Sequence, residues 1–507
     1  MANLTDFLGF HARATPDRPA LVFAGETVTY GAMFARARAA AAWLEGQGVR
    51  PGDTVALWMK NSPAFLDLVF GASHRGAVLL PMNYRLATSE IAYILTDSDA
   101  KLLVADAEYS GEATQLEREA VPRVAILDEA AQLDIRHVTE GAEAPEKPVP
   151  RAEGDLMRLM YTSGTTSRPK GVMHAYRQFY WKHLGQVAAL GLSAETRLLT
   201  VGPLYHVGGL DLPGLSIFAL GGLMALEREF DPETALRVIR DNALNGAWFA
   251  PTMTNMILAL PPERWADAAS LRWVIGGGER TPEARIHAFA NAFPNARYID
   301  AYGLTESNGG DTFVEPGREI EKIGSVGRPI PHLELAILDD AGRSVDSGVD
   351  AEICLRGPKI TAGYWSDETK TAAAFHPGGW LRTGDVGHVD ADGFLYLTDR
   401  MKDMIVSGGE NIASSEVERV IYEMPEVLEA AVIGVPDPQW GEVPVAVIAA
   451  RPGETVTLEA LQAHCRRQLA GFKVPKRLAL KDALPRNPSG KVLKRVLRDQ
   501  LLKEAAT

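Results

Sequence analysis

Cysteine is scarce in this sequence, since only Cys354 and Cys465 occur among 507 residues. Two cysteines so far apart in the chain exclude the disulfide framework typical of small secreted domains. They also lack the close spacing of a cysteine metal site. Because this usage fits a reducing compartment, we expect a cytoplasmic protein.

Long apolar runs are lacking as well. The most apolar stretch, residues 210–226, is interrupted by Asp211, Pro213 and paired glycines, which predicts buried core and not a membrane span. Residues 1–10 carry neither the basic region nor the apolar region of a secretory signal peptide. Residues 504–507 do not contain the tripeptide that targets proteins to peroxisomes. We therefore expect no integral membrane contact.

Basic residues are outnumbered by acidic ones, 52 lysines and arginines against 65 aspartates and glutamates, which gives a formal net charge of −13. An acidic balance of this size disfavours nucleic-acid binding. The exception is the segment 466–498, in which eleven lysines and arginines stand against the single acid Asp482. This segment indicates a polyanionic small-molecule partner such as coenzyme A, and the alternative is a solvated charged face.

The length indicates two or more domains. Helical spacing predicts helices at 29–48, 63–75 and 88–98, whereas apolar runs predict buried strands at 54–59, 77–81, 101–105, 246–251, 273–275 and 298–302. This alternation predicts parallel α/β layers, whose ligands collect at the carboxyl ends of the strands. A hairpin is predicted at 387–396, where Asp-Gly marks the turn.

Residues 161–171 read Y-T-S-G-T-T-S-R-P-K-G. Glycines let backbone N–H groups approach phosphate oxygens, hydroxyl groups add donors, and Lys170 adds a positive charge. The pattern therefore predicts a polyphosphate-binding loop. A surface turn is the alternative, and the Walker A spacing of ordinary P-loop enzymes does not fit.

This loop resembles the signature [YL]-T-S-G-[ST]-T-G-x-P-K-G of the adenylate-forming superfamily of acyl-CoA synthetases, luciferases and adenylation domains, with Ser167 where the family usually has glycine. The resemblance implies an α/β fold with a large N-terminal domain of layered α/β subdomains, residues 1–400, and a small mobile C-terminal α+β lid, residues 401–507, with a hinge at Lys402. It implies ATP contacts from Thr162, Ser163, Gly164, Thr165, Thr166 and Lys170.

Three later motifs recur in the order of that family. Asp300 to Glu306 resembles Y-G-x-T-E, which implies that Tyr302 lies on the adenine, Thr305 binds the α-phosphate and Glu306 holds Mg²⁺. The T-G-D motif implies that Asp385 binds the ribose hydroxyls, with Arg400 beside it. The resemblance adds three residues near the adenine and the acyl pocket, namely Gly277, Gly278 and Glu279.

The lid resembles the family too. Lys491, in a loop similar to P-x-[ST]-x-[ST]-G-K, is implied to reach the active site during adenylation, where a lysine stabilises the negative oxygens that come together. Rotation about Lys402 then brings in the thioester-forming face. The residues implied for coenzyme A are Ser407, Gly408, Gly409, Trp440, Phe472 and Lys473.

The acyl pocket follows from the motif P-[LM]-[FY]-H, which implies that His206 stands between the adenylate and the thiol path. Acetate-activating members have tryptophan at the position of Gly303, so the glycine argues against acetate. Small and apolar lining residues predict a medium- or long-chain fatty acid, or else an aryl acid such as a cinnamate. The implied pocket residues are His206, Val207, Gly208, Trp248, Phe249, Gly303 and Gly309.

The resemblance thus implies an ATP-, Mg²⁺- and coenzyme A-dependent acid–thiol ligase that acts on a small-molecule carboxylic acid. The alternatives are an adenylation enzyme that loads a carrier protein and a catalytically inactive nucleotide-binding scaffold. The scaffold is disfavoured because Glu306, Asp385 and Lys491 are all present. Symmetric dimers are common in the family, so a homodimer is an expectation from the resemblance alone.

Overall fold

The computed structural model describes residues 3–139, 141–162, 169–277, 281, 283–407, 410–486 and 492–505. The chain forms two compact units. Unit 1 comprises residues 1–334 and 356–375, and unit 2 comprises residues 335–355 and 376–507. Unit 2 holds residues on both sides of Lys402, so the domain boundary expected there stays a prediction.

Unit 1 contains two mainly parallel sheets. Its strands are β1 (Pro19–Phe23), β2 (Glu26–Thr29), β3 (Thr54–Trp58), β4 (Val78–Pro81), β5 (Ala100–Asp106), β6 (Val124–Leu127), β7 (Leu156–Thr162), β8 (Lys170–Ala175), β9 (Arg197–Thr200), β10 (Leu223–Leu226), β11 (Gly246–Phe249), β12 (Trp273–Gly277), β13 (Arg297–Tyr302), β14 (Thr312–Phe313) and β15 (Arg328–Pro329). One sheet has the order β6-β5-β3-β4-β7-β8 and the other the order β15-β14-β13-β12-β11-β9-β10-β1-β2.

Helices cover these sheets. They are α1 (Thr5–Ala14), α2 (Tyr30–Gly46), α3 (Pro63–Arg75), α4 (Thr88–Asp97), α5 (Ser110–Glu119), α6 (Glu129–Leu133), α7 (Tyr176–Leu190), α8 (Val207–Leu210), α9 (Gly214–Leu220), α10 (Pro232–Asp241), α11 (Pro251–Leu258), α12 (Pro262–Trp265), α13 (Glu283–Ala292) and α14 (Glu368–Ala373). The inner strands β3, β4, β10 and β11 are buried along their whole length, as expected for parallel strands covered on both faces. The predicted α/β layering is confirmed.

Helix α3 illustrates how local sequence sets these boundaries. The side chain of Ser62 accepts a hydrogen bond from the backbone N–H of Phe65, Pro63 opens the first turn, and Gly76 ends the helix with a φ of 74°. A Cβ atom at Gly71 would lie 2.6 Å from the Cβ of Ala40 in α2. This glycine therefore lets α2 and α3 approach each other closely.

Unit 2 contains two smaller sheets and three helices. Its strands are β16 (Glu334–Leu338), β17 (Ala351–Arg356), β18 (Phe375–His376), β19 (Trp380–Val389), β20 (Leu395–Arg400), β21 (Ile405–Ser407), β22 (Glu410–Ile412), β23 (Val427–Asp437), β24 (Gly441–Ala450) and β25 (Arg477–Leu480), and its helices are α15 (Ser414–Ile421), α16 (Leu458–Cys465) and α17 (Lys494–Ala505). The predicted hairpin is the antiparallel pair β19–β20. Within the described ranges, no helix is both long and apolar enough to cross a bilayer.

A buried ion pair holds the segment 303–311, which leaves the end of β13 and is called the 303–311 loop below. Lys359 Nζ lies 2.6 Å from Asp311 Oδ1, and it donates to the carbonyl oxygens of Gly309 and Gly310, each at 3.0 Å. Both charged side chains are at most 2 % exposed. The loop is thus fixed through its own backbone by one buried ammonium group.

A second buried charge cluster lies next to this loop. Arg158 Nη1 is 2.8 Å and Lys182 Nζ is 3.4 Å from the carboxylate of Asp211. Burial alone would raise the pKa of Asp211, but these two cations outweigh burial and hold its pKa below the usual range. Burial lowers the pKa of Lys182 to about 8, against the pull of Asp211.

His174 connects the second cluster to the 303–311 loop. Its Nε2–H donates to the carbonyl oxygen of Thr305 at 2.7 Å, while its Nδ1 accepts from Arg158 Nε at 3.1 Å. This pairing requires the neutral ring. Burial, followed by the charge of Arg158, lowers the pKa of His174 to about 3.

The lowered pKa of His174 makes the stability of unit 1 sensitive to acid. Between about pH 6.5 and pH 3 the unfolded chain binds a proton at this histidine and the folded chain does not, so the free energy of unfolding falls as the pH falls, by at most about 1.4 kcal/mol per pH unit. Urea unfolding at pH 7, 5.5 and 4.5 should give a smaller pH dependence for His174→Gln. The exposed His137 provides the matched variant His137→Gln, which should keep the wild-type dependence. Equal slopes in all three proteins would contradict this prediction.

Candidate active site

The two strands that flank the predicted phosphate loop form an antiparallel pair. Thr162 at the end of β7 is opposite Lys170 at the start of β8. The loop between them contains Ser163, Gly164, Thr165 and Thr166, which lie outside the described residues. The ammonium group of Lys170 lies 4.5 Å from the centre of the Tyr364 ring, a distance at which a cation and an aromatic face attract.

Tyr364 links Lys170 to Glu306. Its hydroxyl donates to Glu306 Oε1 at 3.0 Å, and burial, followed by the carboxylate of Glu306, raises the pKa of Tyr364. The backbone around Glu306 is also held, because its carbonyl oxygen accepts from the N–H of Thr361 at 2.7 Å. Thr305 is held through its carbonyl oxygen by His174. The side chains of Thr305 and Glu306 remain partly exposed.

The ends of β12 and β13 carry the adenine residues expected from the sequence. Gly277 is opposite Ala301 in parallel register, Asp300 and Tyr302 are largely buried, and Gly278 and Glu279 fall outside the described part. A Cβ atom at Gly303 would lie 2.5 Å from the backbone nitrogen of Gly310. This glycine is therefore required by the backbone of the 303–311 loop itself.

His206 lies at the start of α8. Its Nδ1 accepts from the backbone N–H of Gly208 at 3.0 Å, so the neutral ring carries its proton on Nε2. Burial lowers the pKa of His206, which keeps the ring neutral at neutral pH. Nearby, a Cβ atom at Gly309 would lie 3.3 Å from Val207. The structure thus brings Gly208 next to His206 and Gly309 next to Val207.

The indole of Trp248 fills the space beside Gly202 and Gly208. A Cβ atom at Gly202 would lie 2.4 Å from the indole, and one at Gly208 would lie 2.8 Å from it. Phe249 points to the other face of the sheet, as alternate residues of a strand do. It is 1 % exposed and packs against Phe230 in a hydrophobic cluster, so the structure does not bring it to the side of His206.

The two residues expected to bind the ribose both lie in unit 2, where they are neighbours. Asp385 on β19 is opposite Arg400 on β20, and Arg400 Nε lies 3.2 Å from Asp385 Oδ1. The exposed Lys402 lies in a turn in which the N–H groups of Asp403 and Met404 donate to the carbonyl oxygen of Arg400. The residue expected to be the hinge therefore lies in a hydrogen-bonded turn directly after β20.

The lid residues expected to bind coenzyme A are only partly described. Trp440 is 48 % and Phe472 is 38 % exposed, which is unusual for large aromatic side chains. Lys473 already pairs with Glu416 at 2.7 Å, whereas Ser407 is 6 % exposed on β21. Gly408, Gly409 and Lys491 lie outside the described residues.

Several supporting residues were missed by sequence reasoning. Tyr364 belongs to none of the recognised motifs, and the buried charges have no common spacing along the chain. A usable signal did exist, because Arg158 and Asp211 each interrupt an otherwise apolar run, and buried ions must be paired. The residues missed are Arg158, His174, Lys182, Asp211, Lys359 and Tyr364.

Comparison with known proteins agrees with this arrangement. The family described as AMP-binding enzyme matches residues 10–365, and the AMP-binding enzyme C-terminal domain matches residues 416–491. The chain is 36% identical to feruloyl-CoA synthase of Amycolatopsis sp over 96% of each chain. It is 35% identical to long-chain-fatty-acid–CoA ligase FadD13 of Mycobacterium tuberculosis over 99% of each chain.

A solved structure extends the likeness to the fold. O-succinylbenzoate coenzyme A synthetase (MenE) from Bacillus subtilis, in complex with ATP and magnesium ion, matches with a TM-score of 0.87 and 30% identity, covering 98% of this chain and 100% of that one. The match spans both units, and the family matches reach from residue 10 to residue 491. The chain therefore belongs to the AMP-binding enzyme family.

Proposed function

We propose that this protein is an ATP-dependent carboxylic acid–CoA ligase. The observation that carries the proposal is the chain of contacts from Lys170 through Tyr364 to Glu306, which joins a cation for phosphate to a carboxylate for magnesium. One oxygen of Glu306 accepts from Tyr364, and an ionised carboxylate has a second acceptor oxygen. That oxygen is the hard ligand that Mg²⁺ prefers, and the bound ion would neutralise charge on the ATP phosphates.

In the first half-reaction an oxygen of the acid attacks the α-phosphorus of ATP. The new P–O bond gives the acyl-adenylate, and the bond to the β-phosphate breaks to release pyrophosphate. Thr305 donates to the α-phosphate, and Lys170 and Lys491 balance the negative oxygens. Asp385 accepts from the ribose hydroxyl groups.

In the second half-reaction the coenzyme A thiol releases its proton to solvent, the resulting thiolate attacks the acyl carbon, and AMP leaves with the electron pair of the broken C–O bond. The neutral His206 can donate its Nε2–H to the acyl oxygen as negative charge develops there. Trp440 and Phe472 offer exposed aromatic faces for the nucleotide of coenzyme A. Rotation of the lid at Lys402 would remove Lys491 after the first half-reaction and bring in the lid face that carries Ser407 for the second.

For the acid itself we propose an aryl carboxylate. The indole of Trp248 occupies the space beside Gly202 and Gly208, and a flat aromatic wall suits a planar ring better than a long alkyl chain. The likeness to feruloyl-CoA synthase supports this choice. A medium- or long-chain fatty acid is the second candidate, supported by the equally extensive likeness to FadD13.

The ligase proposal is tested by measuring AMP release with MgATP across acetate, C6, C10 and C16 fatty acids, benzoate and ferulate, each with and without coenzyme A. We expect a signal that depends on coenzyme A and is largest with an aryl acid. A maximum at C10 or C16 would select the fatty-acid candidate. Acid-dependent pyrophosphate release without thioester would favour loading of a carrier protein, and no reaction with any acid would refute the ligase.

The role of Lys491 separates the two half-reactions. Lys491→Ala should lower the rate of pyrophosphate release by roughly 10²–10³-fold, because one well-positioned electrostatic group is lost, and should leave thioester formation from a supplied acyl-adenylate nearly unchanged. Lys481→Ala is the matched control, since Lys481 belongs to the same basic segment but pairs with Glu504 at 2.7 Å. Equal loss of both half-reactions in Lys491→Ala would refute the assigned role.

Trp248 should determine which acids fit. Trp248→Ala opens space beside Gly208, so kcat/KM should rise for longer or bulkier acids relative to benzoate, by about fourfold for each methylene newly buried at about 0.8 kcal/mol. Trp248→Phe keeps a ring in this position and should change the order of acids less. An unchanged order of preference in Trp248→Ala would show that the indole does not line the acid site.

A further inference from the structure

A cluster of three metal-ligating side chains lies in unit 2 and includes none of the residues assigned to either half-reaction. Glu352 and Cys354 are on β17, and His376 ends β18. One ligand atom from each of the three lies within 4.8 Å of the others. The side chain of Glu352 is 5 % exposed, that of His376 is 8 % exposed, and Cys354 is fully buried.

The imidazole of His376 has an unusual environment. Its Nε2 is buried and makes no hydrogen bond with any described residue. The nearby carboxylate oxygen, Glu352 Oε2, is 3.6 Å away, which is too long for a hydrogen bond. It is close to the separation of two atoms that bind the same tetrahedral ion at about 2.0–2.2 Å each. Buried polar atoms are normally satisfied, so this nitrogen points to a ligand.

We propose that Glu352, Cys354 and His376 bind a divalent cation of the zinc type through one carboxylate oxygen, Sγ and Nε2. A set of one sulfur, one nitrogen and one oxygen suits Zn²⁺, whereas Mg²⁺ takes oxygen ligands. Three protein ligands leave a fourth tetrahedral position for water. All three ligands belong to unit 2, whereas Glu306, the residue proposed to hold Mg²⁺, belongs to unit 1.

The carboxylate of Glu352 is already oriented for this task. Its Oε1 accepts from the backbone N–H of Gly384 at 3.1 Å, and its Oε2 accepts from Arg382 Nε at 2.9 Å. Hydrogen bonds to a ligating carboxylate are typical of the outer shell of metal sites. Arg382 and Gly384 belong to β19, which also carries Asp385. A bound cation would therefore stabilise the strand on which the residue proposed to bind the ribose lies.

Coordination would also change the protonation of the thiol. Burial, followed by the charge of Glu352, raises the pKa of Cys354 to about 12 against the opposing charge of Arg382, so the thiol is protonated at neutral pH without a cation. Binding must replace this proton, and the bond formed is Sγ–metal while one H⁺ is released to solvent.

The test uses the full chain without a histidine tag, freed of metal by chelator and dialysis. Zn²⁺ is titrated against a chromophoric chelator, and Co²⁺ is added separately as a spectroscopic probe. We expect one equivalent of Zn²⁺ and a thiolate-to-cobalt charge-transfer band. Cys354→Ser should remove the band, and both Cys354→Ser and His376→Gln should weaken Zn²⁺ binding by about 100-fold or more, because ligands matter at least as much as outer-shell groups.

Cys465→Ser is the matched control, because Cys465 is the other buried cysteine of unit 2. It should keep both the band and the wild-type affinity. The proposal is overturned if the unmodified chain binds less than one equivalent of Zn²⁺ or gives no thiolate band, and neither result depends on a variant that must fold. It is equally overturned if the band persists in Cys354→Ser or if Cys465→Ser removes it.

Discussion

The buried charges around the 303–311 loop are the constraint on which the candidate active site of unit 1 depends. Asp311 is held by Lys359, and Asp211 by Arg158 and Lys182, with all five side chains almost fully removed from solvent. An ion pair in the interior gains little net stability over an apolar packing, but loss of one partner typically costs about 3–5 kcal/mol because a charge is left unpaired. The network therefore fixes the position of the loop more than it stabilises the fold.

The proposed chemistry requires that the loop be held in this position. Asn308, Gly309 and Gly310 all have positive φ angles, a conformation that costs energy for a non-glycine residue and persists only when its surroundings hold it. Lys359 supplies this hold at the carbonyl oxygens, and His174 and Thr361 hold the backbone of Thr305 and Glu306. Electrostatic catalysis is effective when the groups are in position before the reaction begins.

Much of the fold could be predicted because its signals are local. The helix predicted at 63–75 is observed with the same bounds, since Ser62, Pro63 and Gly76 supply its start and end. The helix predicted at 29–48 ends two residues earlier, at Gly46. The carboxyl ends of β12 and β13 do carry Gly277 and Tyr302, as the run of apolar residues before each motif indicated.

The candidate site was harder to predict where it depends on distant residues. Gly208 and Gly303 indicated open space for the acid, but the indole of Trp248 fills the first position and the backbone of Gly310 crowds the second. Phe249 follows Trp248 directly, yet it faces the opposite side of β11 and packs in the core. Which face of a buried strand meets the ligand is not encoded in the composition of that strand.

The sequence alone determined the order of motifs, the helix caps, the buried strands and the family, because each of these depends on residues close together in the chain. Only the tertiary structure decided which charges pair, since Asp311 and Lys359, or Arg158 and Asp211, come from segments far apart. The same holds for Tyr364 with Glu306, and for His376 with Glu352 and Cys354. Coulomb interactions and metal ligation depend on distance in space, and packing of the strands and helices sets that distance.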